Sequence, residues 1–256
     1  MTGALADLVT REVLACALVF ARVGTAMMIL PMFAEQWLTA RARLAMALVV
    51  SFVLVPGSGV QAPATPDPLS LFLPVVGEMA IGAFLGLLIR WIFAALHMAG
   101  TVIAMHSGLQ VAAMFDPNEA SQSTIPSALL SMMVLTVLFA SDAHHLLLAG
   151  LAHSYGVLPF GSLPDLPYMT ETMSRAGSQA FDLAFRVAGP VVLATLLLNG
   201  VLGVMNRLMP TLQVLFVAAP AQIMVSLIVL AAAVGSIGLL ALRMLSVAWS
   251  DVLGNF

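Results

Sequence analysis

Long stretches without a charged side chain alternate with short polar segments along this chain. Five stretches contain no aspartate, glutamate, lysine or arginine: residues 44–66, 91–115, 120–141, 187–206 and 208–242. Each approaches or exceeds the roughly 20 apolar residues that cross a bilayer as a helix. Two further apolar stretches, 13–33 and 69–96, contain charges. The pattern predicts six or seven helical segments and an all-α fold.

The segments between the apolar stretches are polar or rich in proline and glycine, as is typical of loops. The longest is residues 158–182, where proline and glycine give way to an amphipathic run suited to a membrane surface. We predict one polytopic helical domain over residues 1–256. It consists of an N-terminal helical portion (1–157), a linker (158–182) and a C-terminal helical hairpin (183–256).

The composition identifies the class of protein. Of 256 residues, 61% are hydrophobic and 8% charged, and the mean hydropathy is +1.07, whereas soluble domains carry about 25% charged residues. The chain is therefore predicted to be an integral membrane protein in contact with lipid. All nine basic residues are arginines, and they form no polybasic patch, which argues against a nucleic-acid partner. With Cys16 as its one cysteine, the chain cannot form an internal disulfide or a cysteine-based zinc site.

Arg22 lies in the middle of the apolar segment VLACALVFARVGTAMMILP. The eight Leu, Ile, Val and Phe residues of that segment favour insertion by about 2.5 to 5 kcal/mol in sum, whereas a central arginine costs about 2.5 to 3.5 kcal/mol on the same scale. The segment is marginal by itself. We expect Arg22 to face protein or water and to pair with a carboxylate on another segment.

Glu78 and Arg90 flank the apolar run MAIGAFLGLLI. Twelve residues along a helix separate them by about 18 Å and about 120°, so they cannot pair with each other. Glu78, Gly82 and Gly86 follow at four-residue spacing and form a stripe where another backbone can approach closely. A structural helix contact with a buried acid is favoured over a direct role in transport.

Asp142, His144, His145 and His153 form the densest titratable cluster. Asp142 and His145 lie one helical turn apart, which permits a metal site or a proton relay. A helix-end cap with interfacial histidines explains the same residues, and we predict no bound metal.

A polar stripe interrupts the apolar C-terminal part of the chain. Asn199, Gly203 and Arg207 lie at four-residue spacing, Pro210 is expected to stop or kink their helix, and Pro220 to interrupt the next apolar run. Because non-helical backbone at membrane depth must be buried in protein or line water, the segment is predicted to lie inside an assembly.

The chain contains none of the motifs G-x-S-x-G, H-E-x-x-H or G-x-x-x-x-G-K. We therefore expect no enzymatic activity and no cofactor.

The arrangement of Arg207, Pro210 and Pro220 in NRLMPTLQVLFVAAP, preceded by Gly189-Pro190 and Asn199, resembles the FliR/SctT family of type III secretion export-gate subunits. Further matching segments follow in the same order: FARVGTAMMILPMF (20–33), GEMAIGAFLG (77–86), GLQVAAMFDPNEASQSTIP (108–126) and DAHHLLLAGLAHSYGVLPFG (142–161). The resemblance covers nearly the whole chain.

The resemblance implies a polytopic protein of kinked helices and helical hairpins, built into a helical export gate. In such a gate FliP and FliQ form the core with this chain, FlhB lies alongside, and unfolded flagellar subunits pass through the conduit. The expected location is the bacterial inner membrane at the flagellar basal body. Residues expected at packing contacts between subunits are Arg22, Glu78, Gly82, Gly86, Arg90, Asp142, Asn199, Arg207, Pro210 and Pro220.

The resemblance also implies a loop that plugs the closed pore. By position it corresponds to residues 108–123, including Gly108, Gln110, Met114, Phe115, Asp116 and Pro117. An ordinary helix connection ending in an Asp-Pro turn has the same polarity.

Three other functions are compatible with the residues. An injectisome subunit of the SctT type belongs to the same family. A self-sufficient secondary transporter would bind a small solute at the helix break near Pro210. An intramembrane enzyme would use Asp142 and the nearby histidines.

Overall fold

The computed structural model describes residues 2–34, 38–60, 68–109, 124–161, 165–209 and 214–254. Within these ranges the regular elements are all helices: α1 (Thr2–Ile29), α2 (Pro31–Ala34), α3 (Ala40–Ser58), α4 (Pro68–Ser107), α5 (Ile125–Ala140), α6 (Ala143–Val157), α7 (Leu166–Leu208) and α8 (Val214–Leu253). The predicted all-α class is confirmed.

Among the described residues, five helices are long and apolar enough to cross a bilayer, through the spans Arg11–Ile29, Ala40–Ser58, Leu71–Ser107, Leu166–Leu208 and Ala218–Ser250. The pair α5 and α6 passes the same test together, which gives up to six spans in the described part of the chain. This confirms a polytopic membrane protein. The apolar stretches predicted at 69–96 and 91–115 are not separate in the described residues, because α4 continues to Ser107 without a proline after Pro74.

Residues 166–182, predicted as part of a linker, form the beginning of α7. Their polar side chains support the helix along its own surface. Arg175 pairs with Glu171 at 3.1 Å, and Arg186 pairs with Asp182 at 2.8 Å, both at four-residue spacing. The predicted division into a portion at 1–157 and a hairpin at 183–256 remains a prediction.

Two prolines affect the C-terminal helices differently. α7 ends at Leu208, two residues before Pro210, as expected because a proline disfavours helical geometry in the residue before it. Pro210 itself lies outside the described residues. The predicted interruption at Pro220 is wrong, since α8 runs from Val214 through Pro220 to Leu253. Pro220 comes near the start of that helix, where it removes one backbone hydrogen bond without ending the helix.

The chain divides into two compact units. Unit 1 comprises Met1–Trp91, Asp142–Ala176 and Leu245–Phe256. Its core contains apolar side chains of α1, α4 and α6 and the C-terminal end of α8, among them Val19, Val23, Ile81, Leu85, Leu147, Leu151 and Trp249. Arg22 and Glu78 are buried in the same unit.

Unit 2 comprises Ile92–Ser141 and Gly177–Met244. In its core α4 and α5 come into near backbone contact at Gly100, where an added Cβ would lie 2.2 Å from the Cα of Ser127. Buried side chains of α7, including Leu183, Val187 and Val191, complete this core. Only a glycine fits at position 100 without moving one of the two helices.

We predict that Gly100→Ala separates α4 from α5 and destabilises the protein by about 1 to 3 kcal/mol, the usual cost of overpacking a core. The measurement is the thermal unfolding midpoint of the purified protein in detergent. Gly200→Ala is the matched control, because Gly200 also lies inside a long helix but has no atom within 4 Å of an added Cβ. An equal loss of stability in both variants would contradict the close contact.

Candidate functional site

The centre of unit 1 is a buried ion pair between two helices. Arg22 of α1 is 0% exposed and Glu78 of α4 is 1% exposed. The guanidinium Nε lies 2.6 Å from Oε2 of Glu78, and Nη2 lies 2.9 Å from Oε1. Both carboxylate oxygens therefore accept a hydrogen bond in the bidentate geometry that is strongest between arginine and a carboxylate.

α6 and the residue after it supply the remaining acceptors for Arg22. Nη1 donates to Oγ of Ser154 at 3.2 Å, and Nη2 donates to the carbonyl oxygen of Leu158 at 2.9 Å. The Cζ atom lies 4.0 Å from the centre of the Tyr155 ring, a cation–π contact. The Tyr155 hydroxyl in turn donates to the carbonyl oxygen of Val19 at 3.4 Å. One arginine thus connects α1, α4 and α6.

Glycines on α4 permit the close approach that this ion pair requires. A Cβ at Gly82 would lie 2.2 Å from the carbonyl oxygen of Arg22 itself. A Cβ at Gly86, one turn further, would lie 2.8 Å from Cβ of Ile29. The stripe Glu78, Gly82 and Gly86 therefore faces α1, and the close approach of another backbone that its spacing predicted occurs there. It brings the carboxylate within hydrogen-bonding distance of the guanidinium.

The expected carboxylate partner of Arg22 is Glu78, and Glu78 does not pair with Arg90. Ser154, Tyr155 and the Leu158 carbonyl were not predicted from the sequence as members of this cluster. Ser154 and Tyr155 are polar residues on the buried face of an apolar helix, and that pattern is the signal that could have identified them. Arg22 and Glu78 satisfy each other within the chain. The packing role between subunits that the resemblance implies for them remains a prediction.

Arg90 lies on the exposed side of α4. It has no hydrogen bond or ion pair to any residue in the described part of the chain. Its situation is opposite to that of Arg22, although both lie in apolar helices.

The titratable cluster lies at the start of α6. Asp142 occupies the N-cap position with φ 56°, and its side chain makes no capping hydrogen bond. Nδ1 of His145 lies 3.9 Å from Oδ1 of Asp142, on side chains that are both largely exposed. The rings of His144 and His145 lie 4.1 Å apart. One ligand atom each from Asp142, His144 and His145 lies within 4.8 Å of the others, and the expected absence of a metal remains a prediction.

The polar stripe of α7 lies on the surface of unit 2. Asn199, Gly203 and Arg207 are all exposed along α7. Nε2 of Gln222 in α8 donates a hydrogen bond to Oδ1 of Asn199. Arg207 is in the last helical turn, where its charge favourably opposes the helix dipole. Within unit 2 this stripe contributes one link between α7 and α8.

The predicted plug begins where α4 ends. Gly108 follows Ser107 with φ +76°, in the left-handed region that favours glycine. A Cβ at this position would lie 3.7 Å from Oε1 of Gln222. Gln110, Met114, Phe115, Asp116 and Pro117 lie outside the described residues, so the plug remains a prediction.

A cavity of about 520 Å³ lies between α1 and α3. Its lining is apolar apart from the carboxylate of Glu12, and consists of Glu12, Val13, Cys16, Ala17, Phe20, Leu48, Phe52, Val55 and Pro56. Such a lining suits an apolar group.

Comparison with known proteins gives a consistent result. Residues 13–247 match the family model described as "Bacterial export proteins, family 1". The chain is 33% identical over 243 residues to the "Flagellar biosynthetic protein FliR" of Caulobacter vibrioides, covering 94% of this chain and 93% of that protein. It is 27% identical to the protein of the same name from Escherichia coli, covering 84% and 80% of the two chains. It is 28% identical to the "Yop proteins translocation protein T" of Yersinia pestis, covering 84% of each chain.

The buried ion pair predicts a non-additive mutational pattern. Glu78→Ala leaves Arg22 buried without its counter-charge and should destabilise the protein by about 3 to 5 kcal/mol. The double variant Arg22→Met with Glu78→Leu removes both charges and should recover most of this loss. Unfolding of the purified protein in detergent measures both effects.

Glu171→Ala serves as the control, because Glu171 forms an exposed ion pair with Arg175 that should contribute only about 0.3 to 0.5 kcal/mol. A double variant that is as unstable as Glu78→Ala, or less stable, would contradict the pairing of Arg22 with Glu78.

Proposed function

Because the chain belongs to family 1 of the bacterial export proteins, we propose that it is a structural and gating subunit of the flagellar type III protein export apparatus. The observation that carries this proposal is the match over residues 13–247, together with 33% identity to a flagellar biosynthetic protein along almost the whole length of both chains. The flagellar apparatus is preferred to an injectisome because the Caulobacter relative covers more of the chain at higher identity than the Yersinia protein.

The geometry of unit 1 supports a structural rather than catalytic role. Arg22 and Glu78 use their hydrogen-bonding capacity on each other, on Ser154 and on a backbone carbonyl. A catalytic acid or base needs access to a substrate, whereas this pair is enclosed by three helices. The chain accordingly acts without catalysis or a cofactor of its own, by holding apolar helices in a defined arrangement.

The proposed setting is the bacterial inner membrane at the base of the flagellum. There the chain joins FliP and FliQ in the core of the export gate, with FlhB alongside. Large exposed apolar side chains on α7 support assembly with other helices or lipid: Phe181, Phe185, Leu193, Leu196, Leu197, Val201 and Leu208. Exposed surface of this kind marks a protein or membrane interface. Unfolded flagellar subunits are the proposed cargo.

Gating is proposed for residues 108–123. Gly108 lies beside Gln222, which is hydrogen-bonded to Asn199. The start of this segment therefore lies next to a side chain of α8 in unit 2. A segment that begins at a left-handed glycine leaves its helix in a new direction, which suits a loop that closes a conduit and moves when cargo enters.

The central test of the proposal is deletion of the gene. We expect deletion to abolish secretion of flagellar rod and hook subunits into the medium and to leave the cells without filaments. A plasmid copy of the unaltered gene should restore both, and its Glu171→Ala variant serves as a control for expression. Normal filaments after a clean deletion would overturn the flagellar assignment, and loss of injectisome cargo alone would assign the chain to that system instead.

Gating predicts a leak when the plug is altered. Replacing residues 110–117 with glycine and serine of equal length should let small ions and dyes cross the inner membrane, since the replacement removes Met114 and Phe115 from the proposed seal. The measurement is dye entry and proton leak in cells whose export complex still assembles. An equal-length replacement at residues 61–66, in another predicted loop, is the control; tight membranes in both strains would refute the plug.

A further inference from the structure

One face of α4 in unit 1 is both apolar and exposed. Phe72, Val76, Met79 and Leu87 are 67%, 43%, 47% and 42% exposed, and Arg90 is exposed on the same helix. Their spacing of three, four or eight residues places them along one side of a helix. We call these five residues the α4 face. The neighbouring side of the helix, which carries Glu78, Gly82 and Gly86, packs on α1.

Arg90 is the charged residue of the α4 face, and it differs from the other arginines whose partners are known. Arg22 pairs with Glu78, Arg175 with Glu171 and Arg186 with Asp182. Arg90 has no such partner among the residues that the structure describes. The carboxylate nearest to it on its own helix, that of Glu78, lies on the side turned to α1 and is fully engaged there.

Arg90 also lies far from either end of its apolar helix. The span Leu71–Ser107 contains 37 residues, which corresponds to about 55 Å at 1.5 Å per residue. Arg90 comes 19 residues after Leu71 and 17 before Ser107. When the helix is centred in a hydrocarbon layer about 30 Å thick, Arg90 lies near the middle of that layer. An arginine at such a depth requires an opposite charge or water.

We infer that the α4 face binds an apolar helix of another membrane protein, whose aspartate or glutamate pairs with Arg90. This inference rests on the proposed function, because it assigns one surface of the subunit to a partner in the export gate. Charge complementarity defines the partner. Its helix has apolar residues opposite Phe72, Val76, Met79 and Leu87 and one carboxylate at the level of Arg90.

Two other occupants fit this surface less well. A second copy of the chain, inserted in the same orientation and packed through the same face around a two-fold axis, would bring Arg90 close to its own counterpart, and like charges repel. A phospholipid phosphate belongs to the surface of the bilayer, whereas Arg90 lies midway along the apolar span. A carboxylate carried on a helix reaches that depth.

The experiment uses the whole export complex purified through this chain. A photo-crosslinking amino acid is placed at Met79 or Leu87, and the adduct is identified by mass spectrometry. We expect a covalent product with a different protein, at a peptide that is apolar and contains one aspartate or glutamate. In the Arg90→Glu variant the crosslink yield should fall at least tenfold, while Arg90→Lys should retain most of it.

Arg175→Glu is the matched control, because Arg175 is an exposed arginine whose carboxylate partner lies on its own helix. It should leave the crosslink unchanged. Exchanging the charges, with Arg90→Glu in this chain and arginine in place of the identified acid in the partner, should restore the crosslink. Restoration would establish that the two side chains meet.

Several results would overturn the inference: an adduct at twice the mass of this chain, an adduct to lipid alone, or a partner crosslink that Arg90→Glu does not change. Failure of the proposed function gives a different result, because the unaltered chain would then purify without other export components. A complex that assembles normally, and whose crosslink yield does not depend on Arg90, would contradict only the inference about the α4 face.

Discussion

The bidentate contact between Arg22 and Glu78 is the constraint on which unit 1 depends. Removing a full charge from water is costly, and the cost is offset only when the opposite charge and further hydrogen bonds are held in good geometry. Here α4 supplies the carboxylate, and Ser154 and the Leu158 carbonyl supply further acceptors. Three apolar helices with few directional contacts of their own thereby acquire a defined register.

Glycine placement on α4 belongs to the same constraint. A side chain at position 82 would collide with the backbone of Arg22 itself. The two helices would have to move apart, and the carboxylate of Glu78 would then lie beyond hydrogen-bonding distance of the guanidinium. The apolar residues of the core do not define one helix arrangement by themselves, since side chains such as Leu85 and Leu147 can pack in many arrangements of similar volume. The polar pair and the two glycines together select one arrangement.

The sequence was sufficient to predict the class of protein, the positions of most helices and the need for a carboxylate opposite Arg22. Those results follow from local quantities, namely hydropathy, spacing and the cost of a charge in an apolar segment. The identity of the partner was not accessible, because Glu78 is 56 residues away along the chain and several carboxylates satisfied the same requirement. Ser154 and Tyr155 were missed since polar residues are common near helix ends. Pro220 was misjudged because a proline inside a helix removes one backbone hydrogen bond but need not end the helix, and α8 continues through it to Leu253.

The long sequence separations within this buried cluster also bear on how the protein is made. Ser154 and Leu158 follow Arg22 by 132 and 136 residues. At about 5 to 20 residues per second, a ribosome needs several seconds to reach Glu78 after Arg22 and roughly 7 to 27 seconds to reach Leu158. During that interval the first helix carries a positive charge whose acceptors have not yet been synthesised. Its nascent segment must therefore remain in contact with water, headgroups or the insertion machinery. It inserts stably into the membrane only after the later helices have been synthesised.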